Sequence, residues 1–188
     1  MSRTKREQIL ETAMRLFVEN GIQATPTSLI AKKAGVATGT LFHHFATKEE
    51  LVNELYHEIF TSMLAYQKER FNRDTDVRER LRQIWHLDIE WGSAHEEYSH
   101  FLERYSFWHY ASESAINEAH ERFETCLSAF KEAVSSGLTK FDDIEYVKSH
   151  YIWNVRMNTM YFIAHPEKNT PENIEKSFDI YWQGISNA

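Results

Sequence analysis

Residues 22–48 read IQATPTSLIAKKAGVATGTLFHHFATK, a run of short apolar patterns broken by Pro26, Gly35 and Gly39. Thr25-Pro26 predicts a helix start, with the hydroxyl as N-cap and proline in the first turn. Leu29, Ile30 and Ala31 follow, and then Gly35, so this helix is barely two turns long. Gly35 suits a turn because it takes a positive φ without steric cost. A second short helix is predicted over about 37–45, with Leu41 facing back into a small core. Two short helices joined by a tight turn is the helix-turn-helix layout, with Ala31 small where the pair crosses.

The flanking sequence completes the unit. Thr4 with Glu7 predicts a capping box, and Ile9, Leu10, Ala13, Leu16 and Phe17 recur at helical spacing up to Gly21. Thr47 with Glu50 predicts a second box. Leu51, Leu55, Ile59 and Met63 then mark a long helix running to about Phe71. Further helices follow: a stripe of Val77, Leu81, Ile84 and Trp85, another of Phe101, Leu102, Tyr105 and Trp108, and a third from Ile116 to Val134. The next, over about 143–164, is apolar or aromatic on nearly every side. Thr170-Pro171 opens the last. With only 6 Gly and 3 Pro in 188 residues, few breakers interrupt the chain. The expectation is an all-α protein of about nine helices: a helix-turn-helix domain over 1–48 and a helical bundle over 49–188.

Charge divides the same way. Residues 1–50 carry seven Lys/Arg against five Asp/Glu, whereas the rest carries fourteen against twenty-three, for a net charge of −7. A mildly basic end on an acidic body suits a reader of nucleic acid attached to a larger domain. One cysteine, Cys126, excludes an internal disulfide and a thiolate metal cluster. No cleavable leader and no run of 18 apolar residues is visible, so the expectation is a cytoplasmic protein without a membrane span.

The second short helix would enter the major groove of double-stranded DNA. Thr38 and Thr40 offer hydroxyls and methyls, Gly39 lets the backbone approach, and His43 and His44 can donate to phosphates or bases. Lys48 adds charge beside helix N-terminal amides that favour an anion.

Here the sequence resembles the tetracycline-repressor (TetR) family of bacterial transcription regulators. The resemblance runs from about Ile9 to Leu55 and is carried by Gly21, Ala31, Gly35, Val36, Gly39-Thr40-Leu41, His44-Phe45 and Lys48. It implies DNA contacts at Thr27, Ala37, Thr38, Gly39, Thr40, Phe42, His43, His44 and Lys48. Two positions depart from the usual pattern. Ala37 stands where Ser is common, and Phe42 where Tyr is usual, so two phosphate-anchoring hydroxyls are lost.

A helix-turn-helix monomer reads few base pairs, so a homodimer is expected. The all-round apolar stretch over 151–163 cannot be solvated on every side. It predicts an interface at Tyr151, Val155, Met160 and Ile163, joined by Ile174, Phe178, Tyr181 and Ile185. The resemblance implies the same pair of helices. It also implies a pocket for a small hydrophobic or aromatic effector, lined by Trp85, Ile89, Phe101, Tyr105, Trp108, Phe123 and Leu127. Asp88, Glu103 and His109 are candidate polar groups there. The reading is a ligand-responsive repressor that binds a palindromic operator as a dimer.

Other classes find less support. His95 and His100 lie five apart with Glu96 and Glu97 between them, which is not the one-face spacing of a helical metal site. No catalytic motif, cofactor loop or metal set stands out. The alternatives are a helical protein-interaction module without specific DNA binding, or an enzyme.

Overall fold

The computed structural model describes residues 3–106 and 124–187. Among them are nine α-helices: α1 Lys5–Asn20, α2 Thr27–Lys33, α3 Thr38–His44, α4 Lys48–Arg70, α5 Val77–Ala94, α6 Glu96–Ser106, α7 Glu124–Ser135, α8 Ile144–Ala164 and α9 Pro171–Ile185. One 3-10 turn, Pro166–Lys168, separates α8 from α9. The expected all-α architecture is the one observed.

The chain forms two compact units, one of residues 3–61 with 97–106, the other of residues 62–96 with 124–187. In the first, α1 opens with the expected box. Thr4 Oγ1 accepts the Glu7 N–H at 3.2 Å, and Glu7 returns a carboxylate to the Thr4 N–H at 2.8 Å. Gly21 at φ 85° ends the helix, and Gly35 at φ 69° makes the turn between α2 and α3. Ile9, Phe17, Ile30, Leu41, Phe45 and Leu51 are buried and form the core on which α2 and α3 sit. Isolated two-turn helices are marginal in water, so this docking sustains them.

Two caps differ from expectation. The N-cap of α2 is Pro26, not Thr25. Thr25 is fully buried, its hydroxyl 2.8 Å from the Gly21 carbonyl and 3.2 Å from that of Leu16. It satisfies carbonyls left over at the end of α1, which in a buried place are costly to leave bare. At the start of α4, Thr47 Oγ1 accepts the Glu50 N–H at 3.0 Å, but Glu50 reaches past Thr47 to the Ala46 N–H at 2.7 Å.

In the second unit α5 packs against α7, α8 and α9. Trp85 is the centre: its ring stacks on Tyr181 at 4.9 Å, meets Tyr151 edge-on at 5.7 Å, and donates its N–H to Ser177 Oγ at 2.9 Å. Asp143 caps α8, and Thr170 caps α9 at the start that Thr170-Pro171 marks.

Candidate nucleic-acid interface and associated sites

The turn sets the geometry of the reader. Val36 N–H returns to the Ala31 carbonyl at 3.0 Å, closing the turn on a fully buried small residue. Leu41, wholly buried, pins the inner face of α3. Its outer face is left to solvent: Ala37, Thr38, Gly39, Phe42 and His43 are exposed, while Thr40 and His44 are half-buried. Ala37 makes no side-chain cap, in keeping with the missing hydroxyl. Nothing lies within 4 Å of where a Gly39 Cβ would stand, so another molecule can approach the backbone there closely. Phe42, 44% exposed, holds an apolar ring outward one turn along. The face therefore offers hydroxyls, imidazoles, bare backbone and one ring. Thr27, half-buried, begins α2, and Lys32 and Lys33 are exposed at its end.

Lys48 is more engaged than the sequence indicates. Its ammonium donates to the Gln23 carbonyl at 3.3 Å and lies 6.0 Å from the Phe17 ring centre. Burial lowers its pKa, with Glu49 opposing. The side chain thus ties the start of α4 to the loop after α1. Arg6 performs a similar service: it pairs with Glu54 and Glu58 on α4 and sits 5.5 Å over the Phe45 ring at the end of α3.

The described residues expected to line an effector pocket divide between the two units. Phe101 and Tyr105 are buried in the first unit, Phe101 beside Phe17 and Tyr105 stacked on Tyr56 at 4.2 Å. Trp85, Ile89 and Leu127 belong to the second unit, where Trp85 and Ile89 are solid core. Trp108 and Phe123, with His109, lie outside the described residues. Glu103 is exposed.

Asp88 is different. Its carboxyl accepts a hydrogen bond from the Tyr151 hydroxyl at 2.6 Å and another from the buried Gln67 amide. Burial raises its pKa to about 7, against the pull of these two bonds. Among the described residues no cation pairs with it. Gln67 gave no signal in sequence, since a glutamine near the end of an amphipathic helix ordinarily faces water.

The expected dimer residues also need correcting. Tyr151, Val155, Ile174, Phe178, Tyr181 and Ile185 are buried in the core of a single protomer, so they are already covered. Met160 and Ile163 are half-buried. Outward on α8 and α9 lie Trp153, Met157, Tyr161 and Ile180, between 49% and 75% exposed, with Tyr146 near the start of α8. The 153, 157, 161 spacing was visible as an i, i+4, i+8 stripe on the helix face opposite Val155 and Phe162. Among the described residues, no cluster of three His, Cys, Asp or Glu side chains is placed to hold a metal, and no helix is long and apolar enough to cross a membrane.

A short reader helix held outward on a three-helix core, in a chain that also carries a helical bundle, defines the helix-turn-helix class of regulators. The sequence profile of bacterial regulatory proteins, tetR family, matches residues 9–55. A crystal structure assigned to the tetR family of transcription regulators, from Shewanella sp. PV-4, is 30% identical. It covers 99% of this chain and 100% of that one, with a TM-score of 0.88. A second, from Marinobacter aquaeolei VT8, is 23% identical over 98% of this chain and 96% of that one, with a TM-score of 0.82, and shares the fold. The HTH-type transcriptional repressor KstR2 of Mycobacterium tuberculosis H37Rv is 34% identical over 87 residues, 46% of this chain and 44% of that protein. The match thus spans less than half the length of these curated relatives. The chain belongs to the TetR family of DNA-binding transcriptional regulators.

Proposed function

We propose that this protein is a sequence-specific, ligand-responsive transcriptional repressor that binds a palindromic operator as a homodimer. The observation that carries the reading is the outward face of α3: exposed Thr38, Gly39, Phe42 and His43 around open space over Gly39, on a helix locked by Leu41. Thr38 and Thr40 meet base edges or phosphates, Phe42 makes van der Waals contact, and His43, His44 and Lys48 supply donors. Thr27 and Ala37 meet the backbone from the two helix starts. The name of the KstR2 relatives supports repression rather than activation.

The second copy docks on the exposed Trp153, Met157, Tyr161 and Ile180 face, because an apolar patch of this kind otherwise stays in water. A small hydrophobic or aromatic effector acts by binding the DNA-free arrangement more tightly than the DNA-bound one, since only differential affinity shifts a population.

Binding to a fluorescent duplex from upstream of this protein's own gene, and then to genome-derived fragments, tests the reading against excess random DNA at two salt concentrations. Nanomolar, salt-sensitive and selective binding is expected. A folded dimer that binds no fragment at low salt would refute it and leave the helical protein-interaction module.

A further inference from the structure

The first unit holds an open pocket of about 280 Å³, none of whose lining residues belongs to α3. Its apolar lining is Leu10 and Met14 of α1 with Leu55 and Ile59 of α4, all buried. Its remaining walls are mainly acidic: Glu7 and Glu11 of α1, Glu58 of α4 and Glu97 of α6, against the single guanidinium of Arg3. Arg3 pairs with Glu11 at 2.6 Å, Glu7 is engaged by the Thr4 N–H, and Glu58 takes one bond from Arg6 at 3.1 Å. Glu97 forms no ion pair among the described residues. Tyr98, also in the wall, registers the field: burial raises its pKa first, and the charges of Glu58 and Glu97 add to it.

We infer that this cavity binds a small organic cation with an apolar body, such as a primary amine on a short hydrocarbon or aryl chain. The ammonium sits by Glu58 and Glu97 and the body covers Leu10, Met14, Leu55 and Ile59. Two facts favour this ligand class over a metal ion. The carboxylates do not converge into a set that could hold a metal. The lining also offers apolar surface, which a hydrated metal ion does not use and an amine's carbon body does. The volume lies just under the ~300–1,000 Å³ of drug-sized sites, so the ligand is small. Because the walls are α1 and α4, a bound amine would fasten the pairing of the two helices that carry the reader.

The test uses the full chain and 2-phenylethylammonium as probe, with 2-phenylethanol and 3-phenylpropionate as neutral and anionic counterparts, read by calorimetry and saturation-transfer NMR. Glu97→Gln is the site variant, because Glu97 is exposed and forms no ion pair among the described residues, and Glu90→Gln in the second unit is the control. Millimolar binding of the ammonium is expected. It should weaken roughly three- to fivefold in Glu97→Gln, the size of one partly exposed charge pair. It should hold in Glu90→Gln, and the anion should bind more weakly. No binding of the ammonium, equal binding in Glu97→Gln, or binding of the anion or alcohol as tight as the amine would overturn the inference. DNA is absent from this assay, so its outcome is independent of the operator experiment.

Discussion

Replacing Asp88 with Asn should make the protein more stable at neutral and alkaline pH, and by an amount that depends on pH. The folded chain raises this carboxyl from 3.8 to about 7. A carboxylic acid whose pKa is raised on folding favours the folded state only while protonated. Stability is therefore lost as pH climbs from the unfolded value toward the folded one, and the loss levels off above about pH 7. The gap corresponds to about 4 kcal/mol, accumulated mostly between about pH 4 and pH 7. Asn keeps the shape and still accepts the Tyr151 hydroxyl. Urea unfolding followed by circular dichroism, for both proteins from about pH 5 to pH 8, isolates the effect as a difference. Other groups, such as Glu79, whose carboxyl the Arg82 hydrogen bond holds below its ordinary value, cancel in that difference. The variant should gain on the native protein as pH rises, approaching a few kcal/mol at pH 8. A difference that stays constant across this range would refute the reasoning, because it would mean that Asp88 does not ionise within it.

Four other substitutions have outcomes that follow from the geometry. Gly39→Ala should raise thermal stability by up to about 1 kcal/mol, since glycine is a poor helix residue and open space awaits the methyl. Its operator affinity should nonetheless fall roughly tenfold, about 1.4 kcal/mol, in fluorescence anisotropy. Lys48→Gln should weaken operator binding and flatten the dependence of log affinity on log salt by about one, the signature of a lost phosphate contact. An unchanged slope with weaker binding would assign Lys48 to positioning through Gln23. Met157→Glu should give a folded monomer in sedimentation, because the side chain is 61% exposed, whereas Tyr151→Ala should destabilise each protomer by several kcal/mol.

What could be read in the sequence was what local chemistry dictates. Thr4 and Glu7, Gly21, Gly35 and Thr170-Pro171 mark helix ends because capping and positive φ are decided within a few residues. Leu41 and Ala31 announced the small core by spacing alone. The reading failed where a residue's partner comes from a distant helix. Thr25 looked like a cap, but Leu16 and Gly21 claim its hydroxyl. Tyr151 and Phe178 looked like interface because periodicity shows that a helix has two apolar sides, not which side its own protomer takes. Aromatic rings at helical spacing do not reveal which neighbours they will stack on: Trp85 takes Tyr181, and Tyr105 takes Tyr56. Asp88 was noticed as a polar group among apolar ones, yet its meaning depends on Gln67, twenty-one positions earlier.

The placement of the four described tryptophans gives the protein built-in optical reporters. Trp85, Trp91 and Trp182 are buried, so their emission should be blue and poorly quenched by iodide while the fold holds. Trp153, half in water on the outward face of α8, is placed to emit red and quench readily. Among the described tryptophans, dilution that separates two copies should therefore shift the spectrum through Trp153, and denaturant should shift it through Trp85, Trp91 and Trp182. Association and folding can then be followed in one cuvette, without a label.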